Sequence, residues 1–443
     1  MSFNKKKDTL LGQIPDDWEI FSVQELVDMD ILEKPMDGNH GSLHPVNKDF
    51  VNNGIPFIMA SDIKNGKIDY SSCKFLSEET SKKLKKGFAV EGDVLLTHKA
   101  TIGRTAIVKN ILTQYIMLTP QVTYYRVKNL RELDNKFLKY YFDWDNFQNL
   151  LHSWSNSGST RAYIGITAQR KLPILLPKIK DQKFIVNILS TLDEKIETNN
   201  QINEKLEEMA QALFKHWFVD FEFPNENGEP YKSSGGEMVE SELGMIPKGW
   251  NVVTLEKIAE LIMGLSPKSS TYNEDGIGLP LLNGAADFDK NNLRPSRFTS
   301  DPKRVSKKED WLLCIRGTIG NLTFSDGDYA LGRGVAAIRA KESMYREIIY
   351  FNLQKSIKEL ISLASGSVIS GLSKQDINNL KIITPDKKIL TVFHNLIHKI
   401  QQEQIDLKSQ NKVLSKIRDI LLPKLMSGEI RVPLDNETLV EQS

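Results

Sequence analysis

Cys73 and Cys314 are the only cysteines in 443 residues, too few and too far apart for a disulfide framework or a cysteine-built zinc site. An excess of either charge is missing as well. The chain has 58 basic residues against 57 acidic ones, a net of +1, so any nucleic-acid surface must be a local patch rather than a general basic coat. No apolar run reaches membrane-spanning length, and the opening MSFNKKKDTLLGQIPDDW holds no apolar signal core. The expectation is a soluble cytoplasmic protein with no membrane partner. Catalytic signatures are also lacking. There is no Gly-rich phosphate loop closing in Gly-Lys-Ser/Thr, no His-Glu-x-x-His and no Gly-x-Ser-x-Gly elbow. Neither an Asn-Pro-Pro-aromatic run nor a Gly-x-Gly loop after a strand points to methyl transfer. His394 and His398 have the i, i+4 spacing of metal ligands, but without a third ligand nearby they read as helix-surface residues. The chain is expected to have no catalytic residue, no metal site and no cofactor site.

Proline and glycine are absent from one long stretch, Asp181 to Phe221, so nothing there breaks a helix. Leu189, Leu192, Ile196, Leu206, Ala210 and Leu213, with polar Asn199 and Asn203 between them, follow the alternating three-and-four spacing of a heptad seam. Acidic and basic residues fill the opposite face. Some forty helical residues make a rod of roughly 60 Å, which needs a partner. A second run, Lys387 to Met426, offers one: Ile397, Ile400, Leu407, Leu414 and Leu421 share a face, interrupted by Gln404 and Asn411. Polar seam residues fix register at some loss of stability, and the pairing expected is a mutual antiparallel coiled coil.

The chain also repeats itself. Residues 11–18 read LGQIPDDW and residues 243–250 read LGMIPKGW, matched at one offset (244 − 12 = 232). Further on GIPFI (54–58) answers GLPLL (278–282), and GDVLLTHKATIGR (92–104) answers EDWLLCIRGTIGN (309–321). SNSGST (155–160) then answers LASGSV (363–368), and LPILLP (172–177) answers LKIITP (380–385). The matched pieces keep their order, and each copy ends in a long helix. This is a tandem duplication of a unit of about 200 residues, the size of a domain with an appended element. Short strands such as Asp93-Val-Leu-Leu-Thr, Gln121 to Val127 and Trp311 to Ile315 alternate with helical patterns over 135–151 and 345–363, which gives each unit a mixed α/β (α+β) character. The expected boundaries are a first domain at 1–180, a central long helix at 181–222, a Gly/Ser/Pro-rich linker at 223–242, a second domain at 243–386, a C-terminal long helix at 387–431 and a tail at 432–443.

With catalysis unsupported, the polar turns shared by the two units are the functional candidates. Lys99, Thr101 and Arg104, beside His98, cluster at a strand-to-turn junction, and Arg316, Thr318 and Asn321 occupy the matching place. A second cluster is Ser157, Ser159, Thr160 and Arg161, matched by Ser365 and Ser367. Lys, Arg, Asn and Thr read base edges or hold phosphates, and small-residue turns let backbone amides approach a phosphate. The competing reading is that Thr-Ile-Gly and Ser-Gly-Ser only shape tight turns. If each unit reads a different short DNA sequence, these residues should diverge while the framework stays matched. Phe214, Trp217 and Phe218, near the end of the central helix, are expected to form an apolar face awaiting a partner.

Two units that each open Leu-Gly-x-Ile-Pro-x-x-Trp, carry Asp-x-Leu-Leu followed by Thr-Ile-Gly and then Ser-Gly, and close in a long helix resemble the specificity subunit of type I restriction-modification systems. The central ALFKHWFVDF (212–221) and the final LLPKLMSGEIR (421–431) resemble its helix ends, so the likeness runs from residue 10 to 431. The resemblance implies two target recognition domains separated by the antiparallel helices, with pseudo-twofold symmetry, each domain gripping one half of a split site in double-stranded DNA. It also implies two methyltransferase (modification) subunits docked on the helices, motor-nuclease (restriction) subunits, and S-adenosylmethionine, ATP and Mg bound by those partners rather than by this chain. The helices would then act as a spacer: four residues added to the central one should move the half-sites apart by about 6 Å, nearly two base pairs. The rival expectations are a free-standing DNA-binding regulator, a coiled-coil scaffold and a self-sufficient modification enzyme, the last opposed by the missing motifs.

Overall fold

The Leu-Gly-x-Ile-Pro-x-x-Trp signature folds as a β-hairpin that delivers its tryptophan into a core. In the computed structural model, which describes residues 6–155, 162–289, 292–365 and 371–431, Lys6–Thr9 pairs antiparallel with Gly12–Pro15, and Met238–Ser241 pairs with Gly244–Pro247. Both turns need a glycine, at φ +88° for Gly12 and +95° for Gly244. In both, the hydroxyl two residues before the Leu donates to the Gly carbonyl, from Thr9 at 2.7 Å and from Ser241 at 2.6 Å. The Trp18 and Trp250 amides then donate to Pro15 and Pro247 at 3.1 Å. The duplication therefore extends to individual turn hydrogen bonds.

Residues up to Thr198 together with those from Gln410 on form one compact unit, and Asn199–Ser409 form the other. The two sheet sets have the same topology. A five-stranded sheet runs Phe50–Val51, Lys74–Leu76, Ile55–Ile58, Ile116–Leu118, Phe88–Ala89 in the first unit. Its counterpart runs Tyr272–Asn273, Arg297–Thr299, Leu279–Leu282, Tyr329–Leu331, Val305–Ser306. In both, the third and fourth strands are parallel, Phe57 opposite Met117 and Leu281 opposite Ala330. A four-stranded sheet orders Met36–Asp37, Val122–Tyr125, Val94–Lys99, Thr101–Ile107 in the first unit and Ala259–Met263, Val335–Ala340, Trp311–Cys314, Leu322–Phe324 in the second. An ion pair between a half-buried arginine and a buried aspartate is duplicated along it. Arg126 grips Asp93 through Nε and Nη2, both at 2.8 Å, and Arg339 grips Asp310 at 2.9 and 2.8 Å. Bidentate geometry of this kind suits a planar guanidinium.

Both long helices form. The central one spans Ile179–Phe218 and the C-terminal one Lys387–Met426, each 40 residues. The second continues through Pro423 in its last turn and stops before Gly428, whose φ is +65°. It is thus shorter than the 387–431 expected. Within each unit the two helices face one another antiparallel. Arg418 pairs with Asp193 at 2.9 Å in the first unit, while Gln404 donates to the Asn203 carbonyl at 3.2 Å in the second, and Phe393 packs there on Phe214 and Phe218. Asn411 reaches the Ile196 carbonyl at a loose 3.5 Å. On the C-terminal helix, Gln404 and Asn411 therefore bond to backbone of the facing helix, as a register-setting role requires.

Two expectations need correction. Phe214, Trp217 and Phe218 do not form an exposed face: they are buried in the core of the second unit, where Phe214 stacks on Phe351 at 4.7 Å and Phe218 packs on Trp250 at 5.6 Å. An amphipathic pattern says that a stripe seeks cover, not what covers it. The stretch expected as a linker, 223–242, is likewise folded. Phe223 is buried between Tyr231 and Trp250, at 4.6 and 4.7 Å, and Met238–Ser241 is a hairpin strand. Its Gly and Asn residues do make turns, but the interleaved aromatics fix those turns on the core. In the first unit the C-terminal chain does the same work: Leu425 and Met426 join the core that holds Trp18, and Arg431 reaches Asp17 at 2.6 Å.

Candidate nucleic-acid interface

In each unit the residues that follow the second candidate cluster in the chain return to the first cluster. In the first unit, strands Val94–Lys99 and Thr101–Ile107 form a hairpin whose turn residue Ala100 has φ +64°. The helix Asp145–Ser155 ends beside this tip, and the chain is next described at Ala162, which accepts a hydrogen bond from the Ala100 amide at 3.1 Å. Tyr163 donates to Ser155 at 3.4 Å, and Ile164 donates to His98 at 3.0 Å. The chain from Ala162 to Ile164 is thus bonded to the hairpin tip and to the end of the preceding helix. Ser157, Ser159, Thr160 and Arg161 themselves lie outside the described residues.

The second unit is arranged alike. Past strand Trp311–Cys314, Leu372 donates to the Ile315 carbonyl at 3.0 Å, as Ile164 does to His98. A Cβ on Gly371 would lie 3.0 Å from Arg316 Cγ, so the returning chain runs against that arginine. Arg316 and Thr318 are exposed and Asn321 is half-buried, its carbonyl accepting from the Cys314 amide at 2.8 Å. Ser365 ends the helix Arg346–Ser365, its side chain outside the description, and Ser367 lies outside the described residues.

The individual residues divide between surface and framework. Lys99 is half-buried with Nζ 5.7 Å from the centroid of the Tyr163 ring, and Thr101 is exposed. Arg104 is exposed overall, yet its Nη1 donates to the Ala60 and Ile63 carbonyls at 3.1 and 3.2 Å. Its guanidinium therefore ties the hairpin to the neighbouring loop and is only partly available to a ligand. The Thr-Ile-Gly glycines are structural. Gly103 has φ +88°, and a Cβ there would stand 2.1 Å from Gln148 Oε1; Gly320 has φ +103°, with Ile357 Cγ2 at 2.9 Å from that position. The competing reading of Thr-Ile-Gly as a turn-shaper holds for Gly103 and Gly320.

Beneath the first tip lies His98, with no exposed surface. Its Nδ1 donates to the Ile164 carbonyl at 2.9 Å, so its Nε2 is the unprotonated nitrogen, buried without a partner. Burial pushes the imidazole down to about 4, so it is neutral at physiological pH. Tyr163, 43% exposed, packs on this ring at 5.8 Å. Self-similarity could not find Tyr163, because its counterpart in the second unit is Gly371.

Among the described residues no group of His, Cys, Asp or Glu is placed to hold a metal ion, and no helix is long and apolar enough to cross a membrane. His394 and His398 instead join an ionic network: His394 Nδ1 lies 2.6 Å from Glu347, and His398 Nδ1 accepts from Arg346 at 2.8 Å.

Two matched α/β units, each presenting a hairpin tip with an adjoining return segment on a long helical pair, define a duplicated recognition protein. The sequence profile of the type I restriction modification DNA specificity domain matches residues 15–208 and 247–410. The chain belongs to that family and is a DNA specificity subunit. It is 28% identical over 433 residues to a protein of Methanocaldococcus jannaschii described as the putative type I restriction enzyme MjaX specificity subunit, covering 96% of both chains. The HindI specificity subunit of Haemophilus influenzae is 26% identical over 441 residues, covering 85% of this chain and 94% of the relative. Among solved structures, the type I restriction-modification S subunit from M. genitalium aligns over 92% of this chain and 96% of its own, with a TM-score of 0.54 and 16% identity. That likeness extends to the fold alone.

Proposed function

We propose that the chain reads a split target in double-stranded DNA, each unit contacting one half-site at its hairpin tip, and that it does so for partner subunits while performing no chemistry itself. Two methyltransferase subunits would bring S-adenosylmethionine, and motor-nuclease subunits would bring ATP and Mg. The site of action would be the cytoplasm. The observation that carries the reading is the contrast between framework and tip. Sheets, Arg–Asp ion pairs and hairpin glycines are duplicated, yet the tips carry Lys99 beside Tyr163 in one unit and Arg316 beside Gly371 in the other. Duplicated scaffolds with divergent basic tips suit recognition of two different short sequences.

A partner surface follows from the helix faces left uncovered. On the C-terminal long helix, Val413, Ile417 and Ile420 are 55%, 40% and 60% exposed in the first unit, and Val392 and Leu396 are 43% and 40% exposed in the second. These aliphatic residues at helical spacing, rather than Phe214, Trp217 and Phe218, are the apolar surface offered to a docking subunit. The test of the function is base-resolution mapping of methylation in cells with the chain present and deleted. Loss of methylation at one motif of two short half-sites around an unspecified gap is the expected result. An unchanged methylation pattern, with the methyltransferase partners expressed, would refute it.

A further inference from the structure

The Tyr163 ring is held in a way that its own fold does not require. It is 43% exposed on the surface of the first unit, yet it is restrained on three sides. The buried His98 ring packs against it at 5.8 Å, Lys99 Nζ stands 5.7 Å from its centroid, and Gly165 leaves room for its edge. A Cβ on Gly165 would lie 3.2 Å from the Tyr163 hydroxyl oxygen and 3.4 Å from its Cε1. The backbone on either side is also fixed, by Tyr163 to Ser155 and by Ile164 to His98. An exposed aromatic held against neighbours on several sides has less entropy to lose on binding than one free in solvent.

The support beneath it is unusual as well. The second unit fills the position of His98 with Ile315, 1% exposed, and carries Gly371 where the first has Tyr163. The fold therefore accommodates an apolar residue below and no side chain above. In the first unit a polar ring with a partnerless nitrogen lies under the tyrosine instead. Burial of such a group opposes folding, which sets this corner apart from the framework that the two units share.

We infer that Tyr163 is a specificity-determining residue of the first unit, its ring packing on a sugar–base edge of one half-site while Lys99 Nζ meets the adjoining phosphate. The inference rests on the DNA-reading role and deepens it. An aromatic ring supplies apolar contact to a deoxyribose or a thymine methyl, and the ammonium supplies the charge that positions it. The second unit, with Arg316 beside a glycine, must contact its own half-site by other means, so the effect of Tyr163 is confined to one half of the target.

The experiment uses the full chain assembled with its methyltransferase subunits and duplexes carrying the split motif mapped in wild-type cells. Tyr163→Ala is expected to weaken binding to that duplex by roughly 5- to 150-fold and to relax preference at one base position of one half-site. Discrimination at the other half-site and the salt slope should stay as in the wild type. Tyr163→Phe, which keeps the ring, should recover most of the loss. Lys99→Ala should instead reduce the salt slope by about one. Unchanged affinity and base preference in Tyr163→Ala would overturn the inference, and so would an equal loss at both half-sites, which marks a folding defect. A wild-type assembly that discriminates no duplex would remove the DNA-reading role itself, and the inference with it.

Discussion

Replacing His98 with isoleucine should remove a pH-dependent weakness from the first unit. The imidazole is fully buried, and burial pushes it down to about 4, against about 6.5 for a solvated histidine. Because the folded value lies below the unfolded one, folding favours the neutral ring. The associated stability is present above about pH 6.5 and is lost as pH falls toward 4. The gap between the two values corresponds to about 3 kcal/mol over that window. The substitution should be tolerated, since Ile315 occupies the equivalent position in the second unit with the same backbone bond from Leu372. It also leaves no orphaned carbonyl, because Ile164 still accepts from Gln169 Nε2 at 2.9 Å. At pH 7.5 the variant should therefore lie within about 1 kcal/mol of the wild type. The assay is hydrogen exchange of the strands Val94–Lys99 and Thr101–Ile107 in the full chain, stepped from pH 7.5 to 4.5 and converted to opening free energies. Acid effects shared by both proteins cancel in the difference between them, which should shift by about 2 to 3 kcal/mol in favour of the variant. A difference that stays constant across the range would refute the assignment of His98 as a buried neutral base.

Arg126→Met strands the Asp93 carboxylate, whose side chain is 1% exposed and which burial already pushes up. A loss of about 3 kcal/mol is expected in urea unfolding, and Asp93→Asn combined with it should cost less than the two separate losses together. Phe218→Ala opens a hole among Phe214, Trp250 and Phe393 and should destabilise the second unit by about 3–5 kcal/mol, read by exchange of its own strands. A purely docking role for that phenylalanine would leave those strands unaffected. Val413→Asp with Ile417→Asp should do the reverse, changing stability by no more than about 0.5 kcal/mol per site while abolishing co-purification with the methyltransferase subunit.

Much of the protein was legible because it is written twice. Gly12 and Gly244, Trp18 and Trp250, and the two Thr-Ile-Gly turns recur in the same order in both halves, and hairpin and turn chemistry is local enough for sequence to specify. The long helices were legible for the same reason, since a forty-residue heptad pattern with its charged face is a property of the chain alone. The boundaries were less so: the patterned helix over 135–151 is two helices, Asn135–Asp143 and Asp145–Ser155, broken at Trp144, where ψ is 131°. Nothing in the residue pattern marks that break, because the ring is buried with Tyr141 at 6.3 Å and tertiary packing turns the chain.

The sequence by itself determined the duplication, the strand and turn motifs, the two rods and the absence of catalytic signatures. Only the tertiary structure decided what each apolar stripe covers and which polar groups remain for a ligand. Phe214, Trp217 and Phe218 went to a core and Val413, Ile417 and Ile420 to the surface, although both sets have helical spacing. Arg104 was drawn to two backbone carbonyls while Tyr163, silent in the repeat, was set beside Lys99. The physical reason is that periodicity and residue type fix local conformation and amphipathicity, whereas burial and hydrogen-bond partners depend on contacts between residues distant in the chain.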